Sequence, residues 1–286
     1  MSETSIEWTH RAGTTGETWN PTTGCDRVSA GCDNCYALTL AKRLKAMGQA
    51  KYQTDGDPRT SGPGFGLAVH EDALRIPLRW RQPRTVFVNS MSDLFHARVP
   101  REFVARVWAV MAATPQHTYQ ILSKRPERMA RIVGDDFGGG QALLSELFDE
   151  VAATTLYEQP WPLENVWLGT SIESEQHVGR ADHLRRTSAA VRFISAEPLI
   201  GALYGLDLTG IDWLIIGGES GPGSRPMDLG WVRDLIALAR RSGTAVFVKQ
   251  LGAVLSGGGK GTDWSRWPED LRIREYPEPS REVSGV

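Results

Sequence analysis

Six short apolar runs, each breaking into polar residues at its carboxyl end, constrain the fold of this chain more than any other feature. They are Thr85-Val86-Phe87-Val88-Asn89-Ser90, Tyr119 to Ser123, Val166 to Ser171, Val191 to Ser195, Trp213 to Gly218 and Ala245 to Lys249. Their length and β-branched and aromatic content predict strands. Helical spacing lies between them. Phe103, Val104, Val107, Trp108 and Met111 share a face behind Pro100, which suits a first helical turn. Trp231, Val232, Leu235, Ile236 and Leu238 repeat this after Asp228, a candidate N-cap, with Gly243 placed as a C-terminal cap. A further helix is expected from near Asp33, with Ala37, Leu40, Ala41 and Leu44 inward and Gly48 at its end. Strands alternating with helices imply parallel pairing through crossovers.

Only Glu17-Thr18-Trp19-Asn20 is available as a first strand. With it the count reaches about seven, which favours a full or partial parallel (β/α) barrel over an open sheet. A chain of 286 residues, 41% of them apolar, can bury one large core, so a single domain over 1–286 is expected. Residues 49–70 carry Asp55-Gly56-Asp57-Pro58 and Ser61-Gly62-Pro63-Gly64 and are read as an insertion or lid. Gly138-Gly139-Gly140 is read as a turn, because it lacks the Lys-Ser/Thr pair of a nucleotide loop. Residues 252–286 form a C-terminal extension packed on the barrel.

The three cysteines, Cys25, Cys32 and Cys35, all fall within one short loop after the first strand. An odd number cannot pair fully, and so short a loop gains little from cross-linking, so a shared metal or cluster is the expected role. Three thiolates leave a tetrahedral site one ligand short, with room for water, substrate or cofactor. The formal charge of −2 excludes a surface that is basic throughout. No apolar run approaches the roughly 18 residues that span a bilayer, and the start lacks a signal-like region, so a cytoplasmic location with reduced thiols is expected.

In a parallel barrel the chemistry gathers at the carboxyl ends of the strands. Here those ends carry Asn89, Ser90, Ser92 and Asp93; Ser123, Lys124 and Arg125; Thr170, Ser171 and Glu173; Ser195 and Glu197; Glu219 and Ser220; Lys249 and Gln250. Glu197, Glu219 and Lys249 are expected to face a substrate, the competing reading being ion pairs that close the rim. Arg125, Arg128 and Arg131 stand at helical spacings, as a phosphate-binding patch or a solvated stripe. The six histidines form no metal-ligand pair, and only His96 stands close to the rim motif. Trp8 and Trp19 flank the cysteine loop, either shielding a cluster or simply packing.

A cysteine loop after the first strand of such a barrel, ending in C-x-x-C at a helix start, resembles the radical S-adenosylmethionine enzymes. Ile6-Glu7-Trp8-Thr9, Trp19-Asn20-Pro21 with Gly24-Cys25, and Gly31-Cys32-Asp33-Asn34-Cys35-Tyr36-Ala37 more closely resemble an uncharacterised three-cysteine family of phages and bacteria. Some of its members neighbour a gene for a three-cysteine-motif partner protein. The likeness runs from residue 6 to about 275 and takes in Asn89 to Phe95, Leu122 to Pro126, Ser195 to Leu199 and Gly217 to Gly221. The resemblance implies that Cys25, Cys32 and Cys35 hold a 4Fe-4S cluster whose open iron chelates S-adenosylmethionine. It also implies a 5'-deoxyadenosyl radical acting on a substrate, in a phage-related setting a nucleotide or nucleic acid.

On that reading Ser90, Ser92 and Asp93 face the cofactor's ammonium. Lys124 or Arg125 pairs with its carboxylate, and Glu173 accepts from its ribose. Two departures stand out. The spacing is C-x6-C-x2-C in place of C-x3-C-x2-C, and Gly217-Gly218-Glu219 follows a late strand where the superfamily's glycine-rich motif follows the second. The alternative is a zinc-binding three-cysteine module that grips nucleic acid or a partner protein without redox chemistry.

Overall fold

A computed structural model describes residues 4, 6–134 and 160–278. Its centre is a seven-stranded parallel sheet built from β1 (Thr15–Trp19), β4 (Arg84–Val88), β5 (Thr118–Ser123), β6 (Val166–Ser171), β7 (Val191–Ala196), β8 (Trp213–Gly217) and β9 (Ala245–Gln250). Every strand pairs with the next of these along the chain, and the sheet curls into a half-barrel with β1 and β9 at its two ends. All six apolar runs became strands, and the poorly patterned segment before the cysteines supplies β1, in register from Thr15 on Arg84 to Trp19 on Val88. Gly138-Gly139-Gly140 lies outside the described residues.

Alternate strand positions sort into two apolar layers, as the period of two requires. Val86, Val88, Tyr119, Ile121, Leu168, Ile194, Leu214, Ile216, Val246 and Val248 pack outward in the main core beneath the helices. Phe87, Trp167, Val191, Phe193, Trp213, Ile215 and Phe247 fill the concave side together with Trp8. Burial on both faces explains why the strands read as continuous apolar runs. Gly169 is required on β6 because a Cβ there would lie 2.4 Å from the Phe193 ring. Above this aromatic floor the inward positions turn small or polar, at Ser171, Ser195, Gly217 and Lys249, and a hollow opens at the carboxyl ends of the strands.

The helices that cover the sheet are α1 (Tyr36–Ala46), α2 (Glu71–Leu74), α3 (Arg101–Ala112), α4 (Pro126–Val133), α5 (Arg180–Arg185), α6 (Leu229–Ser242) and α7 (Ala253–Ser256). On α3 all five expected residues are buried. Asp228 caps α6 by accepting from the Gly230 N–H at 2.7 Å, and Gly243 ends it at φ +69°. Helix α1 begins later than expected, at Tyr36, because Ala30–Cys32 forms a separate 3-10 turn. Ala37 and Ala41 of α1 are buried, but Leu40 is exposed and lines the hollow.

Two further strands, β2 (Thr22–Thr23) and β3 (Ala68–Val69), pair antiparallel and were not apparent from sequence. They tie the end of the 49–70 segment to the start of the cysteine loop. The C-terminal segment returns along β9, where the Val248 N–H donates to the Ile273 carbonyl at 2.9 Å and the Glu275 N–H to Val246 at 2.8 Å. Tyr276 joins the inner aromatic cluster and donates from its hydroxyl to the His10 carbonyl at 2.9 Å. The open side of the half-barrel is thus lined by the N-terminal turn Glu7–Thr9 and this returning segment. No helix among the described residues is long and apolar enough to cross a membrane.

Candidate functional site

The cysteine loop leaves the carboxyl end of β1 and is fixed by backbone geometry before any side chain acts. Gly24 adopts φ +85°, donates to the Met91 carbonyl at 2.9 Å, and lies so close to the 49–70 segment that a Cβ would fall 2.1 Å from the Gly66 oxygen. Only glycine fits such a position. Asn20 ties the same corner to the loop after β4, its side-chain oxygen accepting from the Ser90 hydroxyl at 3.2 Å and the Met91 N–H at 3.0 Å. At the other end the Cys32 N–H donates to the Ser29 carbonyl at 2.9 Å, the Cys35 N–H donates to the Cys32 carbonyl at 3.3 Å, and Cys35 occupies the N-cap position of α1. Cys25, Cys32 and Cys35 are unpaired and half-buried, and all three line one cavity of about 160 Å³.

Asp93 and Arg125 brace this cavity. Asp93 accepts from the Ser123 hydroxyl at 2.8 Å, the Phe95 and Lys124 N–H groups at 3.0 and 3.1 Å, and Arg125 Nη1 at 3.0 Å. The same Nη1 donates to Cys25 Sγ at 3.2 Å, while Nη2 donates to the Asp26 carbonyl at 3.0 Å. Both groups expected to meet a cofactor directly are therefore engaged with the protein and hold Cys25 in place. Burial, reinforced by the Asp93 charge, pushes the Cys25 thiol up to about 12, with Arg125 pulling the other way. Arg128 donates to the Val99 carbonyl at 2.7 Å, Arg131 pairs with Glu127, and the charges of Arg125 and Arg131 both act on Arg128.

Glu173 is fully buried beneath the loop, where a Cβ on Gly31 would lie 3.0 Å from its carboxyl carbon. Arg180 Nη1 donates to its Oε2 at 2.9 Å, and His177 Nε2 lies 3.3 Å from its Oε1. Burial works to raise this carboxyl, but the Ser29 hydrogen bond and the Arg180, Lys124 and His177 charges outweigh it and hold the group below the usual range. His96 enters the site indirectly, meeting Asp26 at 2.8 Å. Thr60 and Ser61 of the 49–70 segment also donate to Asp26, at 2.7 and 3.2 Å.

A larger cavity of about 620 Å³ fills the mouth of the half-barrel, within the usual size of small-molecule sites. Phe87, Trp8 and Leu122 line it below, and Ser171, Ser195, Glu197, Lys249 and Gln250 along the strand ends. Cys35, Ser90, Leu122, Lys124 and Ser171 border both cavities. Lys124 is a cation at the boundary of the two cavities, and its charge acts on both Glu173 and Cys35. Glu197 Oε1 accepts from Lys249 Nζ at 2.7 Å and Gln250 Nε2 at 2.9 Å, so these two expected substrate-facing residues form an ion pair in the cavity wall.

Glu219 lines the same mouth cavity and is held there by its own hydrogen bonds. It accepts from the Arg225 N–H and Nε, at 2.9 and 3.0 Å, and from Asn34 Nδ2 at 2.9 Å. Ser92 bonds Thr22 at 2.7 Å and helps seat the loop. Trp8 forms the cavity floor, whereas Trp19 packs in the outer core and donates to the Ala73 carbonyl at 2.8 Å. Sequence reasoning missed Asn20, Asn34, Arg180 and Arg225 as site residues. Asn20 and Asn34 stood inside the motifs already singled out, but Arg225 carried no signal, since its role depends on a turn that brings it back onto Glu219.

Among the described residues no three His, Cys, Asp or Glu side chains converge closely enough to hold a single metal ion.

A family model described as a protein of unknown function (DUF5131) matches residues 3–267. No curated protein and no solved structure matches the chain.

Proposed function

This chain belongs to the DUF5131 family, and from that premise we propose that it is an iron–sulfur enzyme of the radical S-adenosylmethionine type. Cys25, Cys32 and Cys35 would hold a 4Fe-4S cluster, and the adjoining mouth cavity would take the cofactor and a small substrate. The observation that carries this reading is that all three thiols line one cavity sharing a wall with a second, larger one at the carboxyl mouth of a parallel half-barrel. When bound, the cluster and cofactor supply one-electron cleavage of a sulfonium and hydrogen abstraction from the substrate.

The chain's own residues supply position and water exclusion. Arg125 fixes Cys25 through its sulfur and through the Asp26 carbonyl, a second-sphere contact that also tunes a cluster. Lys124, at the boundary of the two cavities, would pair with the cofactor's carboxylate. Ser90, Ser171 and Ser195 offer hydroxyls along the strand ends, and Phe87 and Trp8 keep the base dry. The Glu197–Lys249 pair at the far wall presents both charges to the substrate end.

The reading is tested by incubating anaerobically reconstituted, dithionite-reduced protein with S-adenosylmethionine. Release of 5'-deoxyadenosine and methionine, lost on Cys32→Ala and weakened on Lys124→Ala, is the expected result. Intact cofactor together with stoichiometric zinc in a colourless protein would replace this function with the zinc-module reading.

A further inference from the structure

The Gly217-Gly218-Glu219 motif, two of whose residues line the mouth cavity, also reaches across to the cysteine loop. Arg225 wraps Glu219 through its N–H, Nε and Nη2, the last at 2.5 Å from Oε1, and the same Nη2 donates to the Ala30 carbonyl at 2.9 Å. Asn34 Nδ2 bridges back to both Glu219 Oε2 at 2.9 Å and the Gly223 carbonyl at 3.0 Å. Arg225 Nη1 also lies 3.7 Å from Asp33. Ala30, Asp33 and Asn34 all belong to the short stretch that carries Cys32 and Cys35. Cys25 is held by other means, through Arg125 and the 49–70 segment.

We propose that the loop from Glu219 to Arg225 is a latch that orients Cys32 and Cys35 and limits their accessibility, with Glu219, Arg225 and Asn34 as positioning residues. The Glu219 carboxylate is 5% exposed and sits among one guanidinium and one amide that both reach across to the cysteine loop. Charge-assisted bonds of this kind are the stronger class of hydrogen bond. Removing either partner frees one end of the loop while Arg125 keeps the other fixed. The cysteine triplet is thus held at two independent points, one per end. This goes beyond the iron–sulfur reading, because the latch acts on the thiols whether or not a metal is bound.

The test uses full-length protein stripped of metal by a chelator and treated at fixed pH with iodoacetamide, with modification of each cysteine followed by mass spectrometry. In Arg225→Ala and Glu219→Ala, Cys32 and Cys35 should react roughly five- to tenfold faster than in the parent, with Cys25 changed by less than about twofold. The double variant should exceed neither single by much, since both remove one unit. Arg225→Lys, which keeps the charge but loses the fork, should give an intermediate rise and serves if the alanine variants do not fold. Unchanged rates at Cys32 and Cys35, or an equal rise at all three cysteines, would overturn the latch. Neither result depends on iron binding, so the latch and the proposed function fail separately.

Discussion

At Arg125 one side chain joins a carboxylate, a backbone carbonyl and a sulfur, with 15% of it exposed against 7% for Asp93. Breaking a buried pair leaves an uncompensated charge, so Arg125→Met should cost about 3 kcal/mol in urea unfolding. Glu173 sets a pH dependence. Its folded pKa is depressed, so its contribution is fully present above the unfolded value near 4.5 and is lost as pH falls through the folded value. Glu173→Gln should therefore flatten the acid limb of a stability–pH curve. A limb as steep as the parent's would show that other groups carry it. At this scale the cysteines, Asp93 and Arg125, which line one cavity, were singled out from sequence, but their partners were not. Arg125 was expected to bind a cofactor carboxylate, and its engagement with Cys25 and Asp93 depends on the loops after β1, β4 and β5 converging.

Among the elements, the strands were the most legible, because burial on both faces gives apolar runs that only a covered parallel sheet explains. Strand β1 was the least so. Its sequence Thr-Gly-Glu-Thr-Trp is polar, with Gly16 set against Thr9 and Glu17 paired with Arg84 at 2.9 Å, and no local pattern reveals such partners. The pair β2 and β3 is only two residues long on each side, below what periodicity can register. Yet that pair seats the cysteine loop. Gly24→Ala, with its Cβ driven into the Gly66 carbonyl, should part the 49–70 segment from the loop, seen as faster proteolysis within 49–70 and roughly 1–3 kcal/mol lost. Unaltered cleavage there would mean the segment is held by the Asp26 network instead. By contrast Asp228→Ala should cost about 1 kcal/mol at the N-terminus of α6 and leave the cysteines' reactivity unchanged.

For the whole molecule, the half-barrel is stabilised at its open side by segments from both ends of the chain. Tyr276 packs its ring 5.5 Å from both Trp213 and Phe247 and reaches His10. Tyr276→Ala should lower stability by about 2–3 kcal/mol in denaturant unfolding, and a loss below about 0.5 kcal/mol would mean that the side is closed by other contacts. The architecture followed from alternation alone, but partial closure could not, because whether β1 meets β9 is decided by tertiary packing. What this shape provides is one mouth onto which every strand end and the cysteine loop converge. The proposed function requires those thiols jointly to hold an iron–sulfur cluster. The direct measurement is iron and acid-labile sulfide per chain after anaerobic reconstitution. The prediction is about four of each in a brown protein, falling sharply in each of Cys25→Ala, Cys32→Ala and Cys35→Ala. A colourless protein without iron, or iron retained by all three variants, would contradict it.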